Sequence, residues 1–195
     1  MRRPSDKMML ATILAGAFLV RLLWIFMFSP VELVGDCLGY HTRATALLLE
    51  EGSRPADKAA YVPPLYSLFL AGIYKIFGIV PMAAKLIQAI LSTLTCWLMF
   101  TLGRQLIHKN AGLWAAAGYA FYPQFIRYTG ELWTETLFLF LFIATFVYLF
   151  KGIGGEKRSL AAAGVLLGAS ALTREIAFLF LAPASLWFYI AVRGK

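Results

Sequence analysis

Long apolar blocks separated by short polar gaps are the dominant pattern of this 195-residue chain. A helix needs about 20 apolar residues to cross the hydrocarbon core of a bilayer, and several blocks approach or exceed that length. The first block, from Met8 to Phe28, is too long for the core of a signal peptide, and no small-residue cleavage pattern follows it. We therefore interpret it as an uncleaved span. The predicted spans are residues 8–28, 82–107, 111–129, 132–150, 159–174 and 175–192.

One further apolar block, residues 63–78, is barely long enough to cross the membrane. The charges decide its interpretation, because Lys and Arg are enriched in cytoplasmic loops. If the block lies along the membrane surface, the basic clusters fall inside and most of the ten acidic residues fall outside. If it spanned, the loop from Arg104 to Lys109 would move outside and break that pattern. The sequence therefore predicts six spans, cytoplasmic termini and a first extracytoplasmic loop over residues 29–81.

Two interfacial helices are predicted inside this loop. Asp36 stands at a favourable N-cap position, and apolar and aromatic side chains follow it at helical spacing as far as Leu47. Residues 63–77 form a second, more apolar helix that suits the membrane interface. The predicted fold is an all-α integral membrane protein with about six transmembrane helices and these two interfacial helices, in a single module over residues 1–195.

Composition supports this fold class and excludes two others. Hydrophobic residues make up 61% of the chain and charged residues 14%, which is too apolar for a water-soluble domain. The net charge of +8 does not indicate nucleic-acid binding, because Lys and Arg lie in the gaps between apolar blocks. Cys37 and Cys96 are expected at different membrane depths, and no Cys/His cluster has metal-ligand spacing. We therefore expect no disulfide, no metal ion and no cofactor.

The polar residues that could carry chemistry come from four separate parts of the chain. In the predicted topology they all lie at or near the outer membrane interface. Ionisable groups at membrane depth are costly and are usually paired or functional, so their convergence matters more than any single residue. The candidates are Asp36, Tyr40, His41, Arg43, Tyr66, Arg127, Glu131, Glu135, Arg174 and Glu175.

Each of the three strongest candidates also has a structural interpretation. Asp36 is either a general base or the N-cap of its helix. Glu135, at the start of a span, is either functional or a complement to the helix dipole. Arg174 offers planar donors to a phosphate group, and its alternative is a local ion pair with Glu175.

Two polar features lie inside the predicted spans. Arg21 is expected to snorkel outward or to meet an internal acid, because an isolated charge in the bilayer is costly. Gln88, Ser92 and Thr95 stand at i, i+4 and i+7 on one helix. The simplest role for this stripe is hydrogen bonding between helices.

The order of several short motifs resembles a known family. A span is followed by a Gly-Asp pair and an aromatic-proline segment, and later an acidic residue opens one span and a basic residue ends another. This order is similar to that of the N-terminal module of C-type (GT-C) glycosyltransferases, in the branch containing protein O-mannosyltransferases and lipid A aminoarabinose transferases. The motifs are Gly35-Asp36 with Tyr40, Glu51-Gly52, Tyr61–Tyr66, Phe77-Gly78, Gly103-Arg104, Ala120–Pro123, Thr134–Phe138 and Leu172–Arg174.

The resemblance implies an enzyme of the plasma membrane that transfers a sugar from a polyprenyl-phosphate carrier to an acceptor on the extracytoplasmic side. It also implies that Asp36 is the catalytic base, that Glu135 is a second catalytic residue and that Arg174 binds the lipid phosphate. By analogy the reaction inverts the anomeric carbon and needs no metal ion. The further residues expected around the substrate are Tyr40, His41, Arg43, Tyr66, Arg127 and Glu131.

Three features distinguish this chain from typical relatives and leave alternatives open. Cys37 follows Asp36 where many relatives have a glutamate, and Val62 precedes Pro63 where the aminoarabinose branch has a lysine. Relatives also continue for several more spans. One alternative is a noncatalytic module that binds or translocates polyprenyl-phosphate-linked sugars. The other is a fragment or subunit of a larger transferase, acting with a partner subunit or as an oligomer.

Overall fold

The computed structural model of the chain describes residues 6–49, 63–180 and 183. Within these residues all regular structure is helical, which agrees with the predicted all-α class. The motif Glu51-Gly52 and the residues Tyr61 and Val62 lie outside the described residues. The helices are α1 (Asp6–Met27), α2 (Asp36–Leu49), α3 (Leu65–Phe77), α4 (Pro81–Leu106), α5 (Lys109–Phe121), α6 (Pro123–Arg127), α7 (Glu135–Ile153) and α8 (Lys157–Thr173), with a 3-10 turn at Glu175–Ala177.

Three helices of the described residues, α1, α4 and α7, are long and apolar enough to cross a membrane. Helix α3 has 13 residues and is therefore about 20 Å long, which is less than the thickness of the hydrocarbon core. This length agrees with the prediction that residues 63–78 do not span. The predicted sixth span, residues 175–192, lies mostly outside the described part of the chain, so the number of spans stays a prediction.

The apolar block over residues 111–129 is broken into two helices, where the sequence analysis expected one span. Helix α5 ends at Phe121 and α6 begins at Pro123. Proline lacks an N–H donor and disfavours the helical conformation of the residue before it. Tyr122 is accordingly extended, with φ −71° and ψ 119°. The break leaves the last carbonyls of α5 without helical donors.

Helices α4 and α5 approach each other closely through two glycines. A Cβ atom on Gly103 would lie 2.8 Å from the Cα of Gly112, and one on Gly112 would lie 2.4 Å from the carbonyl oxygen of Phe100. Small residues allow this approach in membrane bundles, where van der Waals packing drives helix association. The pair therefore fixes α5, and with it the broken end of that helix, against α4.

Arg21 is fully buried where α1, α4 and α5 meet. Its Nε donates to Ser92 Oγ at 2.8 Å, and its Nη1 donates to the carbonyls of Ala17 at 2.9 Å and Ala120 at 3.0 Å. The prediction that Arg21 snorkels or meets an acid is wrong, because these oxygens take the place of a carboxylate. The Ala120 carbonyl belongs to the broken end of α5, where the helix dipole is negative.

Gln88 joins α3, α4 and the loop after α6 in one buried network. Its Oε1 accepts a hydrogen bond from Tyr66 Oη at 2.7 Å, and its Nε2 donates to the Glu131 carbonyl at 2.7 Å. The predicted contacts between helices are thus confirmed for Gln88 and for Ser92. Thr95 differs, because its hydroxyl donates to the Leu91 carbonyl of its own helix.

Polar contacts tie the bundle together at both ends. At one end Lys109, at the start of α5, forms an ion pair with Asp6 at the start of α1. At the other end Lys85, near the start of α4, is buried and donates to Ser29 Oγ and to the Pro30 carbonyl, both at 2.7 Å. The second contact fixes the segment that runs from the end of α1 into α2.

Candidate functional site

A cavity of about 450 Å³ lies where α2 and α7 begin and α8 ends. Asp36 is the first residue of α2, Glu135 is the first residue of α7, and Arg174 directly follows α8. Three separate segments therefore bring charged side chains to one space of a size that suits a small-molecule ligand. The lining residues are Asp36, Tyr40, Pro63, Trp133, Thr134, Glu135, Thr173, Arg174, Glu175 and Ile176.

One wall of the cavity contains three side chains that all contact one another, those of Arg174, Glu135 and Thr134. The Nη1 atom of Arg174 forms an ion pair with Glu135 Oε1 and donates a hydrogen bond to Thr134 Oγ1 at 3.1 Å. Thr134 Oγ1 in turn donates to Glu135 Oε2 at 3.3 Å. Arg174 thus pairs with an acid from another helix rather than with its neighbour Glu175, and both carboxylate oxygens of Glu135 are occupied.

Asp36 is an exposed carboxylate on the α2 side of the same cavity. In the described part of the chain no side chain or backbone group forms a hydrogen bond or ion pair with it. A carboxylate with free oxygens can accept a proton from an incoming hydroxyl group, whereas that of Glu135 is engaged. Of the two acids, Asp36 is therefore the one available for proton transfer.

Tyr40 lines the cavity one helical turn after Asp36. Its ring packs edge-on against Tyr66, with 5.0 Å between the ring centroids. Burial raises the pKa of Tyr40, and the nearby carboxylates of Asp36 and Glu135 raise it further. Each of these effects disfavours the phenolate, so the hydroxyl stays protonated and can donate a hydrogen bond to a ligand.

Three other candidate residues on α2 and α3 do not line this cavity. Tyr66 is fully buried and bonded to Gln88. His41 has its Nδ1 at 2.9 Å from Tyr74 Oη, and burial lowers the pKa of His41. Arg43 is half-buried on α2 and is not among the lining residues. The first two side chains hold α2 and α3 together behind the cavity wall.

Arg127 and Glu131 also lie behind the wall. Arg127 Nε donates to Glu131 Oε1 at 3.0 Å, and its guanidinium lies over the Trp133 ring at 5.4 Å from the centroid. Trp133 itself lines the cavity. Arg127 therefore contacts the site through Trp133. The hydrogen bond from Gln88 to the Glu131 carbonyl fixes the loop that carries Glu131.

Sequence reasoning missed several residues that shape the site. Trp133 and Ile176 line the cavity, although their positions in the chain carry no distinctive pattern. Thr134 also lines it, and it opens the Thr134–Phe138 motif but was not predicted as a site residue. Lys85 was also missed. Its position in an otherwise apolar helix could have revealed it, because a charged side chain there is costly unless it has partners. The described residues contain no group of three or more His, Cys, Asp or Glu side chains that could hold a metal ion.

One comparison with known proteins identifies the family. The sequence profile of the dolichyl-phosphate-mannose-protein mannosyltransferase family matches residues 61–195, about two thirds of the chain. The match includes Glu135 and Arg174 but begins after Asp36 and Tyr40. No curated protein matches the chain.

This match confirms the resemblance found in the sequence. The family consists of membrane glycosyltransferases of the GT-C type and implies a lipid-linked sugar donor. The apolar helices α1, α4 and α7 agree with a location in the membrane. The chain therefore belongs to the dolichyl-phosphate-mannose-protein mannosyltransferase family of membrane glycosyltransferases.

Proposed function

We propose that this chain transfers a sugar from a polyprenyl-phosphate-linked donor to an acceptor hydroxyl group, with Asp36 as the catalytic base. One observation carries the proposal: a free carboxylate, Asp36, and a paired arginine, Arg174, line the same cavity although they are far apart in the sequence. Family membership supplies the reaction class and the lipid-linked donor.

The proposed reaction is a single displacement at the anomeric carbon. Asp36 accepts the proton of the acceptor hydroxyl group as its oxygen forms a bond to that carbon. The bond from the anomeric carbon to the phosphate oxygen breaks, and the electron pair leaves with the polyprenyl phosphate. Arg174 stabilises the negative charge that develops on this leaving group. The anomeric centre is inverted, and the step requires a base and a cation but no metal ion.

The other candidate residues receive supporting roles in this proposal. Glu135 orients Arg174 through their ion pair and does not accept the acceptor's proton, because both of its oxygens are occupied. Tyr40 donates a hydrogen bond to the sugar or the acceptor. Arg43 remains a predicted substrate contact. The residues proposed to support the walls of the site are His41, Tyr66, Arg127 and Glu131.

We further propose that the cavity faces the extracytoplasmic side and that both termini are cytoplasmic. Contacts at the two ends of the bundle support this orientation. Asp6 and Lys109 meet at one end of the bundle, and Asp6 belongs to the basic N-terminal part of the sequence. Lys85 and Ser29 meet at the other end, next to α2 and the cavity. The basic segments thus fall on the side that the positive-inside rule assigns to the cytoplasm.

The test is sugar transfer by the detergent-solubilised or liposome-reconstituted protein, supplied with a mixed pool of polyprenyl-phosphate sugars. We expect Asp36→Asn to lose transfer while it retains binding of polyprenyl phosphate. The matched control is Glu32→Gln, which removes an exposed carboxylate that precedes α2 and does not line the cavity. Equal losses in the two variants would contradict the assignment of Asp36 as the base.

A noncatalytic module that binds lipid-linked sugars is the alternative function. It is favoured by the position of the family match, which begins at residue 61 and so includes Arg174 but not Asp36. Such a module needs the cation and has no use for a base. Lipid binding that depends on Arg174 and ignores Asp36, without any transfer by the wild-type protein, would therefore support this alternative.

A further inference from the structure

Thr134 occupies a position where its hydroxyl group would ordinarily stabilise a helix. It is the N-cap residue of α7, and a threonine there usually accepts a hydrogen bond from a backbone N–H of the first turn. In this structure Thr134 forms no such bond. The hydroxyl group contacts Arg174, 40 positions later in the chain, and Glu135 instead.

The hydroxyl group of Thr134 both accepts and donates a hydrogen bond within the cavity wall. It accepts from Arg174 Nη1 at 3.1 Å and donates to Glu135 Oε2 at 3.3 Å. Thr134 is only 4% exposed, so its hydroxyl group has little contact with water. The guanidinium is therefore held at two points, by the Glu135 carboxylate and by the Thr134 hydroxyl group.

Both of these contacts use the same nitrogen of Arg174. The ion pair and the hydrogen bond each run through Nη1, and no described residue accepts a hydrogen bond from Nε or Nη2. Arginine binds phosphate best through two parallel N–H donors on one edge of its planar group. The Nε–Nη2 edge has this geometry and belongs to a side chain that lines the cavity.

We propose that Thr134 is a positioning residue that holds the Arg174 guanidinium so that its Nε–Nη2 edge binds the donor phosphate. The inference rests on the proposed function, in which Arg174 contacts that phosphate. With the hydroxyl group absent, Glu135 alone holds Nη1, and the guanidinium can rotate about this single contact. Two-point phosphate binding is then replaced by a mixture of orientations.

The first part of the test compares four proteins in equilibrium binding of dolichyl phosphate and in initial rates with dolichyl phosphate mannose. Thr134→Val removes the hydroxyl group at nearly constant shape, and Thr134→Ser retains it. Thr145→Val is the matched control, because Thr145 is similarly buried on α7 and donates only to the Leu141 carbonyl of its own helix. The wild-type protein completes the set.

We expect Thr134→Val to weaken dolichyl phosphate binding about tenfold and to raise KM for the donor, because a hydrogen bond to a charged group is lost. Thr134→Ser should restore most of the affinity, and Thr145→Val should bind as the wild type does. In an Arg174→Gln background, Thr134→Val should change affinity less than about twofold, because Thr134 acts through Arg174. If the valine variant does not fold, Thr134→Ala takes its place in the same comparison.

The outcomes separate this inference from the proposed function. If Arg174→Gln abolishes binding while Thr134→Val binds like the wild type, the positioning role is wrong and the proposed function stands. A serine variant as weak as the valine variant also contradicts the role, because it retains the hydroxyl group. If the wild-type protein binds neither dolichyl phosphate nor any other polyprenyl phosphate, the proposed function fails, and this inference fails with it.

Discussion

Two arginines, Arg21 inside the helix bundle and Arg174 at the cavity, have different kinds of partner. Arg21 is fully buried and donates to a serine hydroxyl group and two backbone carbonyls. Arg174 has 39% of its side chain exposed and pairs with a carboxylate, Glu135, through a single nitrogen. Arg21 thus has neutral partners and no access for a ligand, whereas Arg174 has a charged partner and two further nitrogens at a cavity.

This difference indicates how a structural arginine can be distinguished from a ligand-binding one in a membrane bundle. At Arg21 a hydroxyl group and two carbonyls, one of them at a helix end, take the place of an acid, and the cation links the helices that surround it. A cation at a cavity needs a partner that fixes its orientation and leaves part of its donor surface free. The variants below test this distinction from the largest expected effect to the smallest.

Arg174→Gln should have the largest effect, and the effect should be on activity. Loss of the cation that faces the leaving phosphate is expected to lower kcat/KM for the donor about 10²- to 10³-fold. Stability should change little, because Arg174 is partly exposed and its pairing with Glu135 is weakened by solvent. Initial transfer rates and thermal unfolding measured on the same preparation would check both statements. Equal loss of folded protein and activity would contradict the ligand-binding role.

Arg21→Gln should show the reverse pattern. It breaks bonds from Arg21 to three acceptors, Ser92, Ala17 and Ala120, and the expected loss is about 2–4 kcal/mol in the free energy of unfolding. The folded fraction should bind dolichyl phosphate with wild-type affinity, because Arg21 does not line the cavity. Chemical unfolding in detergent, with ligand affinity per folded molecule, is the measurement. Weakened affinity in the folded fraction would link Arg21 to the site.

Gly112→Ala tests the close packing of α5 against α4, which holds the helix that carries the Ala120 carbonyl. The new Cβ atom would lie 2.4 Å from the Phe100 carbonyl oxygen, so α4 and α5 must separate, at an expected cost of about 1–3 kcal/mol. Gly118→Ala on the same helix is the control, because no atom lies within 4 Å of its added Cβ. Alanine there should be neutral or slightly stabilising. Similar unfolding temperatures for the two variants would contradict the close packing.

The all-helical class and a helix that begins near Asp36 followed from the sequence, because helical spacing is a local property. The predicted N-cap role of Asp36 differs from the structure, where Asp36 is the first residue of α2 and its carboxylate accepts no hydrogen bond from a described backbone group. The partners of Arg21 and Arg174 could not be predicted from the sequence. Arg21 depends on a carbonyl exposed by the break before Pro123, and its location depends on how α1 packs against α5. Arg174 has an acidic neighbour, Glu175, yet it pairs with Glu135 because the ends of α7 and α8 meet. Such pairings are properties of the tertiary arrangement.

The smallest predicted effect concerns the α2–α3 contact behind the cavity, where His41 Nδ1 lies 2.9 Å from Tyr74 Oη. Burial lowers the pKa of His41 below its usual 6.5, so the unfolded chain binds a proton more readily than the folded protein. The stability contributed by neutral His41 is present above pH 6.5 and is lost as the pH falls below it. We expect a loss of less than about 1 kcal/mol between pH 7.5 and 5.5, absent in His41→Gln. Unfolding followed at several pH values would check this, and a steeper loss in the glutamine variant would contradict it. Because this contact joins α2 to α3 and involves neither arginine, the change would report on the wall behind the cavity alone.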